Sequence, residues 1–395
     1  AIIMDEDFMK DKLDIALVTN IRLHHSKGGI EKVMIDFANE FTRRGHRVSI
    51  VFFDKNGSEP GFPLDSRVKL FNCSGVDYPI GLNGVIRNIR AISLTKESYR
   101  RKRIMLASRA KAFQMADVIK NIPADVFVTY DPRVTWMLYE VLNVRKPIVS
   151  TIHFSPKEVA KRSEFSAVKM AMENAGPIQV LLPGFVEEMK KFIPGADIVS
   201  IPNVVAQVEE RFEHKAKKII NVGRVTKQKN QMLLAEAWEG VANRFPDWSV
   251  EVWGEDHFDE KYASKIKTYI KDKSLARTFR FCGTTSDVKS KLAEAAIYAF
   301  PSIDEGFSLA LTEAMACGLP SIGLKNCPSV NELIVDGVNG ILCDETPEDL
   351  ARSIEELIVD VEKRNSYGRN AIELVKKYSP DAIWSRWESF VRTLL

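Results

Sequence analysis

The fold is indicated most directly by residues 304–320, DEGFSLALTEAMACGLP, which follow a short apolar run at 297–302. The run predicts a buried strand, and the pattern over 309–317 predicts a helix that Gly318 and Pro320 end. A strand, a turn and then a helix aim backbone N–H groups and the positive end of the helix dipole at an anion. This segment therefore predicts an anion site in an α/β fold.

Two carboxylates, Glu305 and Glu313, belong to the same segment. Glu305 falls in the turn and Glu313 about one turn inside the helix, so the two would flank a phosphate-sized site. A carboxylate accepts hydrogen bonds and cannot itself hold phosphate, so the pair suits hydroxyl groups on either side of one. Hydroxyls around a phosphate describe a nucleotide sugar. An ordinary amphipathic helix with a glycine-bearing entry turn is the alternative.

Length and composition favour a two-domain globular protein. A chain of 395 residues is long for one hydrophobic core. A formal net charge of +3 gives no global basis for nucleic-acid binding. The five cysteines form no CxxC pair, which predicts reduced, buried thiols and a cytoplasmic location. No apolar run approaches the roughly 18 residues of a membrane span, and the acidic start is unlike a signal peptide.

Apolar runs alternate with helical patterns along the chain, which favours parallel sheets covered on both faces. We predict an α/β fold with two Rossmann-like, doubly wound domains, 1–203 and 204–379, facing a central cleft, and a C-terminal helix, 380–395, that returns to the N-terminal domain. Ligands bind beyond the carboxyl ends of strands in such sheets, so the cleft is the expected site. The strands are predicted at 13–19, 47–53, 67–72, 125–130, 147–153, 178–182 and 198–201, and then at 218–222, 249–253, 280–282, 297–300 and 320–324.

Three cations follow the predicted strand at 218–222, in the run GRVTKQK at 223–229. They precede a helical pattern, and the N-terminus of a helix already carries positive potential. Without a ligand, the cations and the positive end of the helix repel one another, which is unfavourable. A bound anion would compensate these charges. The guanidinium of Arg224 can donate two hydrogen bonds to phosphate oxygens, and the ammonium group of Lys229 can bind phosphate as a compact positive charge. Solvated surface charge is the alternative.

Two features of the first half point to a ligand. Gly28 and Gly29 open a helix after the first strand, and such a pair lets the backbone approach a ligand that a Cβ would block, although a plain tight turn is an alternative. His153 ends the strand at 147–153 and would point toward the cleft, where it could bond a sugar hydroxyl. A packing histidine is the alternative. With no HExxH and no clustered Cys and His residues, no metal site is predicted.

These segments together resemble the retaining glycosyltransferases of family four, which have the GT-B fold. The likeness rests on Lys27-Gly28-Gly29-Ile30-Glu31, on Gly223-Arg224 with Lys229, and on the segment from Glu305 to Glu313, and it covers nearly the whole chain. It suggests an enzyme of the bacterial surface-polysaccharide or lipid-linked glycan type.

The resemblance implies a reaction. A hexose or N-acetylhexosamine passes from a nucleotide diphosphate sugar, with UDP favoured, to a glycan or lipid-linked glycan acceptor. The anomeric configuration is retained, and neither metal nor cofactor is needed. The alternatives are a nucleotide-sugar epimerase on the same fold, which would need acids and bases at the sugar ring, and a non-catalytic nucleotide-sugar-binding protein.

The resemblance also implies a role for each position. Arg224 and Lys229 bind the donor diphosphate, Glu313 accepts from the ribose hydroxyls, and Glu305 contacts the transferred sugar. His153 hydrogen-bonds the sugar. The remaining contacts are made by Gly28, Gly29 and Gly223 near the phosphates, by Gly306, Phe307, Ser308 and Leu309 along sugar and phosphate, and by Cys282 and Gly283 beside the base.

One position departs from the family pattern. The family has Gly-x-Gly after the second strand of the second half, whereas this chain has Trp253-Gly254-Glu255-Asp256. Loss of the second glycine weakens the expectation of close backbone approach there.

A basic segment predicts contact with an anionic surface. It carries one acid, Glu97, and its apolar residues Val85, Ile89 and Ile92 recur at helical spacing. A basic amphipathic helix can lie on an anionic membrane, here the inner face of the cytoplasmic membrane, or hold the pyrophosphate of a lipid-linked acceptor. A solvated helical face is the alternative. The cations are Arg87, Arg90, Lys96, Arg100, Arg101, Lys102, Arg103, Arg109 and Lys111.

Overall fold

The computed structural model describes residues 11–26, 28–74, 95–208 and 216–395. The chain divides into two compact units. Unit 1 comprises Ala1–Ile201 and Trp384–Leu395, and unit 2 comprises Pro202–Ile383. The sequence places these divisions after residues 203 and 379. Part of the predicted basic segment, with Arg87 and Arg90, and also Lys27 lie outside the described residues.

Unit 1 contains a parallel sheet of seven strands among the residues described, in the order β3-β2-β1-β4-β5-β6-β7. Its strands are β1 (Asp14–Val18), β2 (Arg47–Phe52), β3 (Lys69–Asn72), β4 (Val126–Thr129), β5 (Ile148–Thr151), β6 (Ile178–Val180) and β7 (Ile198–Ser200). Its helices are α1 (Gly29–Arg43), α2 (Lys96–Asn121), α3 (Pro132–Trp136) with a π-helical turn (Met137–Val141), α4 (Pro156–Ala160), α5 (Phe165–Asn174) and α6 (Pro183–Phe192).

Unit 2 contains a second parallel sheet, of six strands over the described part of the chain, in the order β10-β9-β8-β11-β12-β13. Its strands are β8 (Lys218–Val222), β9 (Ser249–Trp253), β10 (Phe279–Gly283), β11 (Ile297–Phe300), β12 (Ser321–Leu324) and β13 (Gly340–Cys343). Its helices are α7 (Gln231–Ala242), α8 (Glu260–Asp272), α9 (Val288–Glu294), α10 (Leu309–Ala316), α11 (Val330–Leu333), α12 (Pro347–Val359) and α13 (Val361–Val375), with short 3₁₀ turns at Lys227–Lys229 and Lys376–Tyr378; the last helix is α14 (Pro380–Arg392).

Both sheets are doubly wound, as predicted. In each, the chain builds outward from a central strand, returns to the centre and builds outward the other way. The strand order reverses between β1 and β4 in unit 1 and between β8 and β11 in unit 2. Ligands of open α/β sheets bind beyond the carboxyl ends of strands at this reversal. A ligand site is therefore expected in the loops after these four strands.

The sequence prediction missed β13. The strand is four residues long and pairs with β12, at the edge of the sheet. Two of its four residues are half-buried, so its hydrophobic pattern is weaker than that of the central strands. A short edge strand beginning with glycine gives little periodic signal.

The C-terminal helix α14 returns to unit 1, as the sequence predicted. Trp384 and Trp387 meet the ring of Phe37 edge-on, with ring centroids 5.9 and 5.4 Å apart. All three side chains are buried. Burial of large aromatic rings in this geometry contributes strongly to stability. The last residues of the chain therefore complete the core of unit 1.

A buried polar contact also holds α14 in place. The backbone N–H of Leu13 donates to Nδ1 of His46 (3.1 Å), so the other ring nitrogen carries the proton. That Nε2–H donates to Glu388 Oε1 of α14 at 3.2 Å. Burial lowers the pKa of His46 although Glu388 opposes the shift, so the ring is held in its neutral form. Arg44 adds an ion pair to Glu388 at 2.8 Å.

Trp387→Ala should lower the free energy of unfolding of unit 1 by about 3–5 kcal/mol, because it removes a buried aromatic side chain and leaves a cavity. Urea titration of the full chain, followed by circular dichroism, measures the change. Arg386→Ala, on the exposed side of the same helix, is the matched control and should change the free energy by less than about 0.5 kcal/mol. Equal effects of the two substitutions would show that α14 is not part of the core.

Candidate active site

Backbone hydrogen bonds hold together the carboxyl ends of β8, β9 and β10. The N–H of Gly223 donates to the carbonyl of Trp253 (2.9 Å), and the N–H of Gly254 donates to that of Gly283 (2.8 Å). A Cβ on Gly254 would lie 2.0 Å from the carbonyl oxygen of Gly223, so glycine alone permits this approach. Two residues predicted from the sequence, Gly223 and Gly283, are thus brought to one edge of the unit 2 sheet.

The loop after β9 lacks the second glycine of the Gly-x-Gly pattern that the family has there. Asp256, which stands at that position, forms an ion pair with Lys267 of α8 at 2.5 Å. The loop after β9 is thereby tied to a helix of the same unit. Cys282 is half-buried at the end of β10, and burial raises the pKa of its thiol, with the negative charge of Glu251 adding to the effect. The thiol is therefore neutral and available for packing rather than for nucleophilic chemistry.

Lys229 and Glu305 meet across the reversal point of the sheet. Lys229 lies in the 3₁₀ turn after β8, and its Nζ lies 2.5 Å from Oε1 of Glu305, in the loop after β11. The side chains are 17% and 10% exposed, so water screens the pair only in part. Ser302 Oγ also donates to Glu305 Oε1, at 2.5 Å. The predicted cation and the predicted carboxylate therefore form one ion pair with a hydroxyl support.

Arg224, directly after β8, is exposed. Its guanidinium carbon lies 5.0 Å from the ring centre of Phe258, in the loop after β9. The backbone carbonyl of Arg224 accepts a hydrogen bond from Gln231 Nε2 at 3.0 Å, which fixes the position of the residue. Over the described part of the chain no carboxylate pairs with this guanidinium. Its N–H groups can therefore bind an anion at the same edge as Lys229.

The N-terminus of α10 has a buried hydroxyl beside it that lacks a partner among the residues described. Ser308 precedes the helix, and no side chain caps the first turn. The hydroxyl of Ser308 is buried and has no hydrogen-bond partner among the residues described. Its backbone N–H contacts Ser329 Oγ at 3.5 Å. An unpartnered buried hydroxyl beside the positive end of a helix suits a polar, negatively charged ligand atom.

The rest of the 304–320 segment adopts the predicted structure. The helix runs from Leu309 to Ala316, and Gly318 follows with φ of 71°, a conformation that favours glycine at a helix end. Glu313 is half-buried one turn into the helix. Burial raises the pKa of Tyr298 in β11, and the negative charges of Glu305 and Glu313 add to the effect. Both carboxylates therefore act on the same phenol.

The neighbouring residues of this segment pack within unit 2. Gly306 is half-buried in the turn, and Phe307 is buried with its ring edge-on to Tyr378, the centroids 5.3 Å apart. The contact ties the turn to the 3₁₀ turn before α14. It fixes the backbone of Gly306–Leu309 in unit 2, next to Glu305.

Three of the predicted residues, Gly28, Gly29 and His153, belong to unit 1. Gly28 caps α1 and Gly29 is its first residue, and no side chain caps that helix. His153, half-buried after β5, stacks on Tyr130 with ring centroids 5.3 Å apart and shares a 2.9 Å hydrogen bond with Thr151. Burial lowers the pKa of His153 to about 4, so the imidazole is neutral at ordinary pH. A neutral ring can orient a hydroxyl group.

Three residues that sequence reasoning missed support the unit 2 site. Ser302 donates to Glu305, Ser329 receives the N–H of Ser308, and Phe258 lies against Arg224. Ser302 follows a predicted strand and precedes Glu305 by three residues, so its position was a usable signal. Ser329 has a φ of 73° and joins the site through a contact 21 positions away, which a pattern along the sequence does not reveal.

No group of three or more His, Cys, Asp or Glu side chains within the described ranges is placed to hold a metal ion. No helix over those ranges combines the length and the apolarity needed to cross a bilayer.

Two family models match the chain. Residues 27–206 match the model described as Glycosyltransferase Family 4, and residues 205–374 match the model described as Glycosyl transferases group 1. An uncharacterized glycosyltransferase of Haemophilus influenzae is 23% identical over 93% of this chain and 97% of its own length.

Solved structures share the architecture of both units. Sucrose-phosphate synthase of Thermosynechococcus elongatus superposes with a TM-score of 0.78 at 16% identity, covering 97% of this chain and 99% of that one. HepE of Anabaena, solved in complex with UDP and glucose, gives 0.71 at 15% identity, covering 97% and 100%. The two family models, which together cover residues 27–374, show that this chain belongs to glycosyltransferase family four, and the shared architecture shows that it has the GT-B fold.

Proposed function

We propose that the protein transfers a hexose or an N-acetylhexosamine from a nucleotide diphosphate sugar to a glycan or lipid-linked glycan acceptor. The observation that carries the proposal is that Arg224 and Lys229 follow β8, and the unpartnered hydroxyl of Ser308 follows β11, at the reversal of strand order in the unit 2 sheet. Two cations and a helix N-terminus at the same edge of a sheet suit a diphosphate.

The chemistry needs charge stabilisation at the leaving group. When the bond between the anomeric carbon and the phosphate oxygen breaks, negative charge grows on the diphosphate and positive charge on the sugar. Arg224 and Lys229 would stabilise the diphosphate, and fixed cations of this kind are the main catalytic tool. We propose that they act without a metal ion. Transfer on one face of the sugar, with the donor phosphate taking the acceptor proton, would retain the anomeric configuration.

The carboxylates would hold the organic parts of the donor. Glu305 would accept from hydroxyls of the transferred sugar and Glu313 from those of the ribose, because carboxylates are acceptors only. Cys282 and Gly283 would lie beside the base. We favour UDP, and the complex of the HepE structure with UDP and glucose supports this choice. His153, from unit 1, would orient a sugar hydroxyl as a neutral group.

We also propose that the enzyme is cytoplasmic and binds an anionic membrane surface through α2. Arg100 and Arg103 are exposed near the start of this helix, and Arg101 donates to Ser166 Oγ at 3.3 Å. Clustered cations near a membrane each contribute about 1 kcal/mol at low salt. This surface would bring the enzyme to a lipid-linked acceptor.

Arg224→Ala should reduce kcat by about 100- to 1,000-fold, a loss of about 3–4 kcal/mol of transition-state stabilisation, because a fixed donor to the leaving group is removed. The assay measures nucleotide release from UDP-sugars with bacterial envelope glycans and lipid-linked glycans as acceptors. Arg277→Ala, another exposed arginine of unit 2, is the control and should keep kcat within about twofold. A loss below about threefold in Arg224→Ala would contradict the assignment. Conversion of the donor sugar to an epimer with no acceptor present would favour the epimerase alternative.

Replacing four cations of α2 by glutamine should weaken binding to phosphatidylglycerol vesicles at least tenfold at low salt, because electrostatic attraction to the lipid is lost. Co-sedimentation measures the bound fraction. A second variant that loses four exposed cations of unit 2 is the control and should bind like the unmodified protein. Unchanged binding of the α2 variant would remove the membrane proposal. The α2 variant changes Arg100, Arg101, Lys102 and Arg103, and the control changes Lys261, Lys265, Lys271 and Arg277.

A further inference from the structure

A lysine reaches the carboxyl edge of the unit 1 sheet, at its own reversal point. Lys111 of α2 donates to Oδ1 of Asn20, which follows β1. Its Nζ lies 5.0 Å from the ring centre of Phe53, at the end of β2. The ammonium group is therefore held over the ends of two central strands, where a ligand of an α/β sheet binds.

The surroundings of Lys111 do not neutralise it. The side chain is half-buried, and burial lowers its pKa, with the positive charge of Arg133 next in importance. Arg22 acts in the same direction, whereas Asp131 opposes it. A partly buried cation beside further cations is costly unless an anion compensates it.

Asp131 does not supply that compensation, because it is already committed to Arg133. The guanidinium of Arg133 donates to both carboxylate oxygens, Nε at 2.9 Å and Nη2 at 2.6 Å. The backbone N–H of Arg133 donates to Oδ1 as well, at 2.8 Å. The carboxylate thus fixes Arg133, whose Nη1 has no partner among the described residues and can donate two hydrogen bonds.

A small hollow lies beside Arg133. It is lined by Asp131, Arg133, Val159, Arg162, Glu164 and Phe165, together with two further residues. The guanidinium of Arg162 lies 4.3 Å from the ring centre of Phe154. Arg133 and Arg162 thus line the hollow together with Asp131 and Glu164.

We propose that Lys111 and Arg133 bind a phosphate group of the acceptor. A phosphate monoester carries between one and a half and two negative charges near pH 7, whereas a carboxylate carries at most one, so a phosphate compensates two cations better. An ammonium group and a guanidinium group held in a fixed position are the side-chain groups that commonly bind phosphate. That the bound molecule is the acceptor rests on the proposed function. The phosphate itself belongs either to a soluble phosphomonoester or to a lipid headgroup.

This site is distinct from the cationic surface at the start of α2. Arg100 and Arg103 are exposed and face solvent, as a surface for many headgroups requires. Lys111 lies further along the helix, half-buried over the sheet edge. It can take one phosphate at a time.

The test uses the full chain saturated with UDP, so that the donor site is filled. Calorimetric titration with glycerol 3-phosphate should show binding, and glycerol should show none. Lys111→Met keeps the apolar stem over Phe53 but removes the charge, and it should weaken binding of glycerol 3-phosphate about 10- to 100-fold. Lys111→Arg keeps the charge and should bind within about fivefold of the unmodified protein. Lys120→Met, an exposed lysine of the same helix, is the matched control and should change nothing.

Vesicles containing phosphatidic acid form the second arm. A Lys111-dependent response to these vesicles alone would identify a lipid headgroup as the source, and a response to glycerol 3-phosphate would identify a soluble phosphomonoester. If neither probe binds the unmodified protein, or if both bind Lys111→Met equally well, the proposal is wrong. UDP binding, measured first on the same samples, distinguishes a failure of this proposal from a failure of the proposed function. Intact UDP binding with no Lys111-dependent response refutes this site alone, whereas absence of UDP binding by the unmodified protein refutes the UDP-sugar assignment of the proposed function.

Discussion

The ion pair between Lys229 and Glu305 is the contact on which the unit 2 site depends. It joins the turn after β8 to the loop after β11, the two central strands at which the strand order reverses. Both groups are largely shielded from water, so removing either one would leave an uncompensated charge. Ser302 supports the carboxylate from the end of β11. The pair therefore sets the separation of the two loops that frame the donor site.

The same pair is compatible with donor binding. An ammonium group has three donors, so Lys229 can keep Glu305 and still bind a phosphate oxygen. Glu305 has acceptor capacity left for a sugar hydroxyl, since a carboxylate has about four lone-pair sites. Arg224 lies in the same loop as Lys229, and α10 begins four residues after Glu305. A preorganised arrangement of this kind needs little rearrangement when charge develops on the leaving group.

Much of this arrangement follows from patterns along the chain. Apolar runs predicted β8 and β11, and the residues after them were assigned to a site because parallel strands end at one edge. The pairing of Lys229 with Glu305 could not be predicted, because the two are 76 positions apart and meet only through the sheet order. The position of Lys111 could not be predicted either, because the sequence shows it only as one cation of a basic segment. Its burial against Phe53 depends on tertiary packing.

The most direct measurement is a thermal-shift comparison of UDP with uridine, each with and without EDTA. The account predicts that UDP raises the melting temperature, by an amount equivalent to about 2.7 kcal/mol at 100 times its dissociation constant, and that EDTA has no effect. Uridine should give a much smaller shift, because Arg224 and Lys229 bind the diphosphate. No shift with UDP, or a shift that EDTA abolishes, would contradict a metal-free site for the diphosphate of UDP.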